Sequence, residues 1–225
     1  MTIGEQKSRK AHLQIYKKLN IPILTYPVGI KNPVVKGWSD AEIKTLWKQQ
    51  KEELKTANLG MRLEDVLVID IDDPVIAKEK LGDIQLPVTS IVYRGDREPV
   101  KVLQWKERGH IYYKRPAWLK FKNSKKLPDL GIELRTGAGS QNVIPDSIHP
   151  DGSRYKWHNS EFFFQNKLQD FPEDIFKEII NRANIFHEDE TAEIKIIAED
   201  EATDLFYRQK KILDQLIQNY GLICE

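Results

Sequence analysis

The stretch VLVIDIDDP, residues 66–74, leaves this chain few ways to fold. Four apolar residues, Val66, Leu67, Val68 and Ile69, run directly into the carboxylates of Asp70, Asp72 and Asp73. A short apolar run rich in β-branched residues predicts an interior strand. Side chains alternate along a strand, so Asp70 and Asp72 share one face, and Ile69 and Ile71 point to the other. Two carboxylates side by side repel unless a proton or cation lies between them. Hard oxygen donors at this spacing suit Mg²⁺ or Mn²⁺, and a two-ion site suits phosphoryl transfer. The bland alternative is a strand that runs out into a solvated acidic turn. The stretch by itself leaves both readings open. Asp73 and Pro74 open a helix in either case, aspartate as N-cap and proline at N1. An acidic pair after an apolar run also occurs in aspartyl-phosphatases, but those place threonine or a similar residue where this chain has Pro74.

Periodicity elsewhere places this strand in an α+β fold. Leu13, Ile15, Tyr16 and Leu19 predict an amphipathic helix over residues 5–19. A short strand is expected over 23–26. Ser39, with Glu42 at the capping-box position, is expected to open a helix that runs to about Lys55. Residues 57–71 read as two strands parted by a hairpin at Glu64-Asp65. Further strands are expected over 88–93, 101–105, 110–113, 131–134, 141–144 and 154–157, and helices over 172–183 and 200–220. A β-rich middle flanked by helices is not a regular βαβ series. The expected division is a catalytic domain over 1–185, then an acidic linker and C-terminal helix over 186–225. That last part is either an accessory helical element or the start of a module absent from this chain.

Charge and cysteine content exclude several classes. Among 225 residues, 35 Lys and Arg balance 34 Asp and Glu, for a net charge of +1, so nucleic-acid binding would need local patches. Cys224 is the only cysteine, which rules out an internal disulfide framework and a Cys-based zinc site, and no zinc is expected. The N-terminal MTIGEQKSRK lacks the apolar core of a secretory signal. No apolar run approaches the ~20 residues of a membrane span. A cytoplasmic protein with no membrane partner is expected.

Two further segments carry chemistry. KERGHIYY, residues 106–113, sets His110 at the head of a strand behind Lys106 and Arg108. A histidine among cations suits a phosphate-bearing ligand, although a surface hairpin ending in one histidine is the commoner explanation. In DLGIELRTGAGSQNVIPDSIHPDGSRYKW, residues 129–157, Glu133 and Arg135 share a strand face. Gly137 and Gly139 suggest a loop that admits a ligand close to the backbone. Ser147 and His149 follow on a turn, both able to hydrogen-bond phosphate oxygens. A lone GxG is weak, and two strands with Gly-rich turns would explain much of it. Glu133, Arg135, Gly137, Gly139, Gln141, Ser147 and His149 in so short a span are harder to dismiss.

Taken in order, these segments resemble the N-terminal primase–polymerase (prim-pol) domain of the archaeo-eukaryotic primase superfamily, found in replication proteins of plasmids, phages and other mobile elements. Asp70-Ile71-Asp72 matches the family's DxD, and Gly109-His110-Ile111 its strand-opening histidine. Gly131-Ile132-Glu133-Leu134-Arg135 matches its third acid, and Pro145, Ser147, His149, Gly152, Tyr155 and Trp157 match the run that follows. Lys31-Asn32-Pro33 with Trp38, and Asn58-Leu59-Gly60, resemble its upstream signatures. The likeness covers roughly residues 10–160. The chain departs from the pattern in having Glu133 where many relatives have aspartate, and Arg108 where serine is frequent.

The resemblance implies a primase-like core of mixed or antiparallel sheets flanked by helices, and template-directed nucleotidyl transfer. Asp70, Asp72 and Glu133 would bind two Mg²⁺ or Mn²⁺ ions, one activating the attacking hydroxyl and one neutralising the triphosphate. His110 would join them as a catalytic residue. Arg135, Gly137, Gly139, Gln141, Ser147 and His149, with Lys106 and Arg108 as weaker candidates, would bind the nucleotide. The implied partners are single-stranded DNA template, primer, dNTP with NTP left open, and a helicase or replication module in a longer protein. Trp38, Trp105 and the basic run from Lys114 to Lys126 are candidate template contacts. The competing readings are a metal-dependent nuclease or phosphatase using the same acids, and a non-catalytic nucleic-acid-binding replication module.

Overall fold

The acidic stretch ends β2 (Asn58–Ile71), an interior strand of an antiparallel sheet. The computed structural model describes residues 3–28, 30, 33, 35–95, 105–121 and 123–184. Within them the other strands are β1 (Ile23–Tyr26), β3 (Ser90–Arg94), β4 (Gly109–Lys114), β5 (Lys125–Leu127), β6 (Ile132–Val143) and β7 (Tyr155–His158). The helices are α1 (Ile3–Lys18), α2 (Ile43–Gln49), α3 (Pro74–Leu81), α4 (Ser160–Phe164) and α5 (Glu173–Asn184). The strand order is β5-β6-β2-β4-β3-β7, with β1 paired to the first residues of β2. This is the α+β class expected from the sequence.

The chain divides into two compact units, Met1–Ile179 and Ile180–Glu225, and of the second only residues 180–184, the end of α5, are described. The helix expected over 200–220 and most of the strand expected over 101–105 lie outside the described residues.

Strand alternation sorts β2 as expected. Val66 and Val68 pack with Tyr16 of α1, Phe163 of α4, Tyr112, Val92 and Tyr155 in one core. Leu67, Ile69 and Ile71 are buried on the opposite face, as are Ile111 and Leu134 beside them. Asp73 caps α3 through Oδ1, which accepts from the N–H groups of Val75 (3.0 Å) and Ile76 (3.2 Å), with Pro74 in the first turn. That satisfies donors the helix cannot satisfy itself.

Three expectations need correction. Glu64-Asp65 makes no hairpin, because β2 runs straight through it. Two-residue hairpins need left-handed central residues, and neither residue has a positive φ. The pair instead lies in an irregularity of the β2–β6 ladder. Between Leu63↔Gly137 and Val68↔Arg135, β2 spends residues 64–67 against Thr136 alone. The Thr136 hydroxyl stitches this bulge by donating to the Val66 carbonyl (2.8 Å).

The Gly137–Gly139 loop is likewise strand. β6 is continuous, and residues 138–140 are the extra residues that β6 inserts between Gln141↔Arg62 and Gly137↔Leu63. Gly137 takes a φ of +86° at this shift, a backbone state that favours glycine.

The helix expected from Ser39 to Lys55 starts at Ile43 without a side-chain cap, and Ser39 bonds Asp40 in the preceding turn. It stops at Gln49, and a 3₁₀ turn, Glu53–Lys55, follows. The buried Gln50 side chain breaks it. Its Oε1 accepts from Thr25 N–H (2.5 Å) and the Thr25 hydroxyl (2.8 Å), and its Nε2 donates to the Ile23 carbonyl (3.0 Å). Gln50 thereby serves the open edge of β1.

Candidate active site

Sheet register builds the site. Asp70 on β2 lies directly opposite His110 on β4 and Glu133 on β6. His110 in turn lies opposite Val92 on β3. Directly paired residues on neighbouring strands point to the same face, so one cross-sheet row carries Glu133, Asp70 and His110 together. Asp72, two residues beyond Asp70, joins them at the strand end, its backbone N–H donating to the Gly131 carbonyl (3.0 Å). One oxygen from each of Asp70, Asp72 and Glu133 lies within 4.8 Å of the others. Asp70 and Glu133 are 6% and 7% exposed, and Asp72 is open to solvent.

Buried carboxylates at this separation need a counter-charge, and Arg135 supplies it. Its Nη2 stands 2.7 Å from Asp70 Oδ2 and 2.7 Å from Glu133 Oε2. Burial works against the guanidinium charge, but Asp70, Glu133 and Asp72 outweigh it and raise its pKa above the ordinary value. Arg135 Nε is buried and finds no hydrogen-bond partner among the described residues. His110 Nε2 lies 3.5 Å from Asp70 Oδ1, and its ring stacks on Tyr155 with centroids 6.0 Å apart.

These groups line a cavity of about 180 Å³. Asp70 and Asp72 give it carboxylates. Arg94, Arg108 and Arg135 supply positive charge to the same cavity, with His110 and His149 beside them. His149 reaches it beside Tyr155, ring centroids 6.1 Å apart, and its Nδ1 is 3.0 Å from Asp151 Oδ2. Three carboxylates with no sulfur or nitrogen donor among them form a hard-oxygen set that fits Mg²⁺ or Mn²⁺. Arginines lining the same cavity suit a polyanion.

Residues 13–174 match the family model of the bifunctional DNA primase/polymerase N-terminal domain, Prim-Pol. The chain belongs to the Prim-Pol family. No curated protein matches it at a significant level. Membership supports a DNA primase/polymerase-type nucleotidyltransferase with DNA and nucleotide substrates, and the three acids are compatible with metal binding. Among the described residues no helix is long and apolar enough to cross a membrane.

The Prim-Pol fold gathers some of the expected residues and disperses others. Asp70, Asp72, His110, Arg135, Gln141, His149 and Arg108 line the cavity. Glu133 joins through its contact with Arg135. Gln141 Oε1 also accepts from the buried Tyr26 hydroxyl (2.7 Å). Lys106, Gly137, Gly139 and Ser147 do not line the cavity. Trp105, proposed for template contact, is fully buried and its Nε1 donates to the Ile84 carbonyl (2.9 Å). Arg115 spends its guanidinium on the carbonyls of Leu119 and Phe121.

Ser147 is 0% exposed. Its hydroxyl accepts from Leu59 N–H (2.7 Å) and donates to the Leu59 carbonyl (3.0 Å), pinning the turn before His149 to β2. Ser147→Ala is therefore expected to cost about 1–3 kcal/mol in urea unfolding, because the buried Leu59 N–H loses its partner, whereas the Leu59 carbonyl keeps the Ile144 N–H (3.0 Å). The nucleotide KM should rise only as far as His149 moves. A large rise in KM with unchanged stability would instead place the hydroxyl on phosphate.

Arg94 and Tyr155 also line the cavity and are not among the expected site residues. Arg94 lies two positions after Val92 on β3, so strand alternation from the His110 row was the signal that would have found it. Tyr155 was noticed only as part of a motif, and its place between two histidines is a tertiary fact.

Proposed function

We propose that this chain is a template-directed DNA primase–polymerase. It adds nucleotides by a two-metal mechanism in the cytoplasm during replication of a plasmid or other mobile element. One observation carries the chemistry: three carboxylates lie within 4.8 Å of one another, and two of them line a cavity that three arginines and two histidines also line. Asp70, Asp72 and Glu133 would hold the ions. Two such ions, when bound, lower the pKa of an attacking 3′-hydroxyl and offset the charge of the triphosphate and leaving pyrophosphate. A nuclease could use the same acids, but the three arginines suit the greater charge of a triphosphate.

In this reading the 3′-hydroxyl gives its proton to solvent, its oxygen bonds the α-phosphorus, the bond from that phosphorus to the α–β bridging oxygen breaks, and pyrophosphate leaves. Arg94, Arg108 and His149 hold the phosphates, which places the α-phosphorus near Asp70 and Asp72. His110 stands beside Asp70 and orients it. Arg135 occupies the space between Asp70 and Glu133 as a resident cation, and its guanidinium is the charge that an incoming phosphate would share.

Primed and unprimed extension on a single-stranded template, with dNTP or NTP and with Mg²⁺ or Mn²⁺, tests the proposal directly. Absence of product under every combination would overturn it. A second measurement isolates Arg135. In Arg135→Gln the carboxylates lose their competing cation, so Mn²⁺ affinity, read by EPR titration, is expected to rise. The nucleotide KM is expected to rise about ten-fold, the scale of one charged hydrogen bond. An unchanged KM would make Arg135 a structural brace only.

A further inference from the structure

A second cavity, of about 1150 Å³, opens between α1 and α2. Its floor is Leu13, Ile43, Trp47 and Leu54. Around it stand Lys10, Lys17, Lys44, Lys48, Lys51 and Lys55, all exposed; Lys55 pairs with Glu52, and no acid is among the described residues that line the groove. In a chain of net charge +1, that concentration is local placement and not composition. Lys10 and Lys17 lie two turns apart on α1, a rise of about 10 Å. Lys44 and Lys48 lie one turn apart on α2, and so share a face.

Arg9 builds the groove and contributes little free charge. Its buried guanidinium donates to the Leu54 carbonyl (2.8 Å), the Asp146 carbonyl (2.9 Å) and the Ala57 carbonyl. These bonds tie α1 to the chain that follows α2 and fix the groove's width. They also tie it to the loop of the active site. Asp146 pairs with His12 (2.8 Å), and three residues on, the same loop carries His149 into the catalytic cavity. Three residues span at most about 10 Å.

We propose that the α1–α2 groove is a second nucleic-acid site, which takes the backbone of the single-stranded template and leads it toward the catalytic cavity. This rests on the primase–polymerase reading of that cavity. Flexible ammonium groups are point charges that contact phosphate without reading sequence, as a template site requires. The half-buried Trp47, its Nε1 held by the Ile21 carbonyl (2.9 Å), gives the groove an apolar floor for sugars and bases.

The test measures anisotropy of a fluorescein-labelled, mixed-sequence single-stranded oligodeoxynucleotide bound by the full chain, between about 50 and 200 mM salt. The variant is Lys17→Gln with Lys44→Gln and Lys48→Gln. Because these side chains are exposed, the melting temperature should hold. Affinity is expected to fall about ten-fold or more, and the salt slope to become shallower by about 2, the value for three phosphate contacts on a single strand. Unchanged affinity and slope overturn the groove proposal, while primer extension by the same protein leaves the primase–polymerase reading standing. Equal competition by poly-glutamate at matched charge also overturns it, in favour of an acidic protein partner. A wild-type chain that neither binds the oligonucleotide nor extends a primer overturns both.

Discussion

Replacing Asp70 and Asp72 together by alanine is expected to reduce nucleotide addition by about 10³-fold or more, the scale of losing a charge-stabilising group in phosphoryl transfer. The fold should survive. Asp72 is exposed, so its loss removes little packing. Asp70 is buried, but its partner Arg135 retains Glu133 at 2.7 Å, so no guanidinium is stranded without a counter-charge. Removing two of three clustered carboxylates also relieves their mutual repulsion. Primer extension with Mg²⁺ and Mn²⁺ would be measured beside thermal unfolding by circular dichroism. Mn²⁺-dependent extension by the folded double variant would sink the metal assignment. Loss of extension together with loss of the folded signal would show that Asp70 is needed for the sheet.

Gly131→Ala is expected to be strongly destabilising. Gly131 has a φ of +67° at the turn between a short 3₁₀ segment and β6. A Cβ there would collide with the Asp73 carbonyl and press on the Ala77 nitrogen and the Ile76 side chain. The obstacle is mostly backbone of a capped helix, which cannot swing aside. The Gly131 carbonyl also accepts from the N–H groups of Asp72 (3.0 Å) and Asp73 (2.9 Å), so the turn sets Asp72 against Glu133 two residues on. Left-handed strain and overpacking together predict a loss of about 2–4 kcal/mol in urea unfolding. Residual activity of the folded fraction should fall as well. A loss under about 0.5 kcal/mol would show that the turn relaxes without strain.

Much of the site was legible because strand alternation is local. From VLVIDIDDP alone, Asp70 and Asp72 belong to one face and the isoleucines to the other, and Asp73-Pro74 opens a helix. The same rule places Glu133 with Arg135. What failed were features whose outcome depends on partners distant in the chain. Glu64-Asp65 looked like a turn because it is polar between apolar runs. Both halves of β2 nevertheless find β6, and the pair is absorbed as a bulge. Gly137 and Gly139 looked like a phosphate loop, but Gly137 pairs with Leu63 of β2 and Gly139 lies in the insertion that follows it within β6. Ser147 looked like a phosphate donor, and Leu59 took its hydroxyl.

Which residues have the chemistry for a metal and a triphosphate, and which faces of their strands they occupy, follows from local sequence. Side-chain type and a two-residue period need no knowledge of the rest of the molecule. That Asp70 stands directly between Glu133 and His110 depends on strand pairing, because a register slip of one residue would turn either partner to the opposite face. Tertiary packing also sets Arg135 between the acids and brings lysines from two separate helices to one groove. Those outcomes rest on which strands and helices pack together, a choice set by burial across the whole core and written in no single segment.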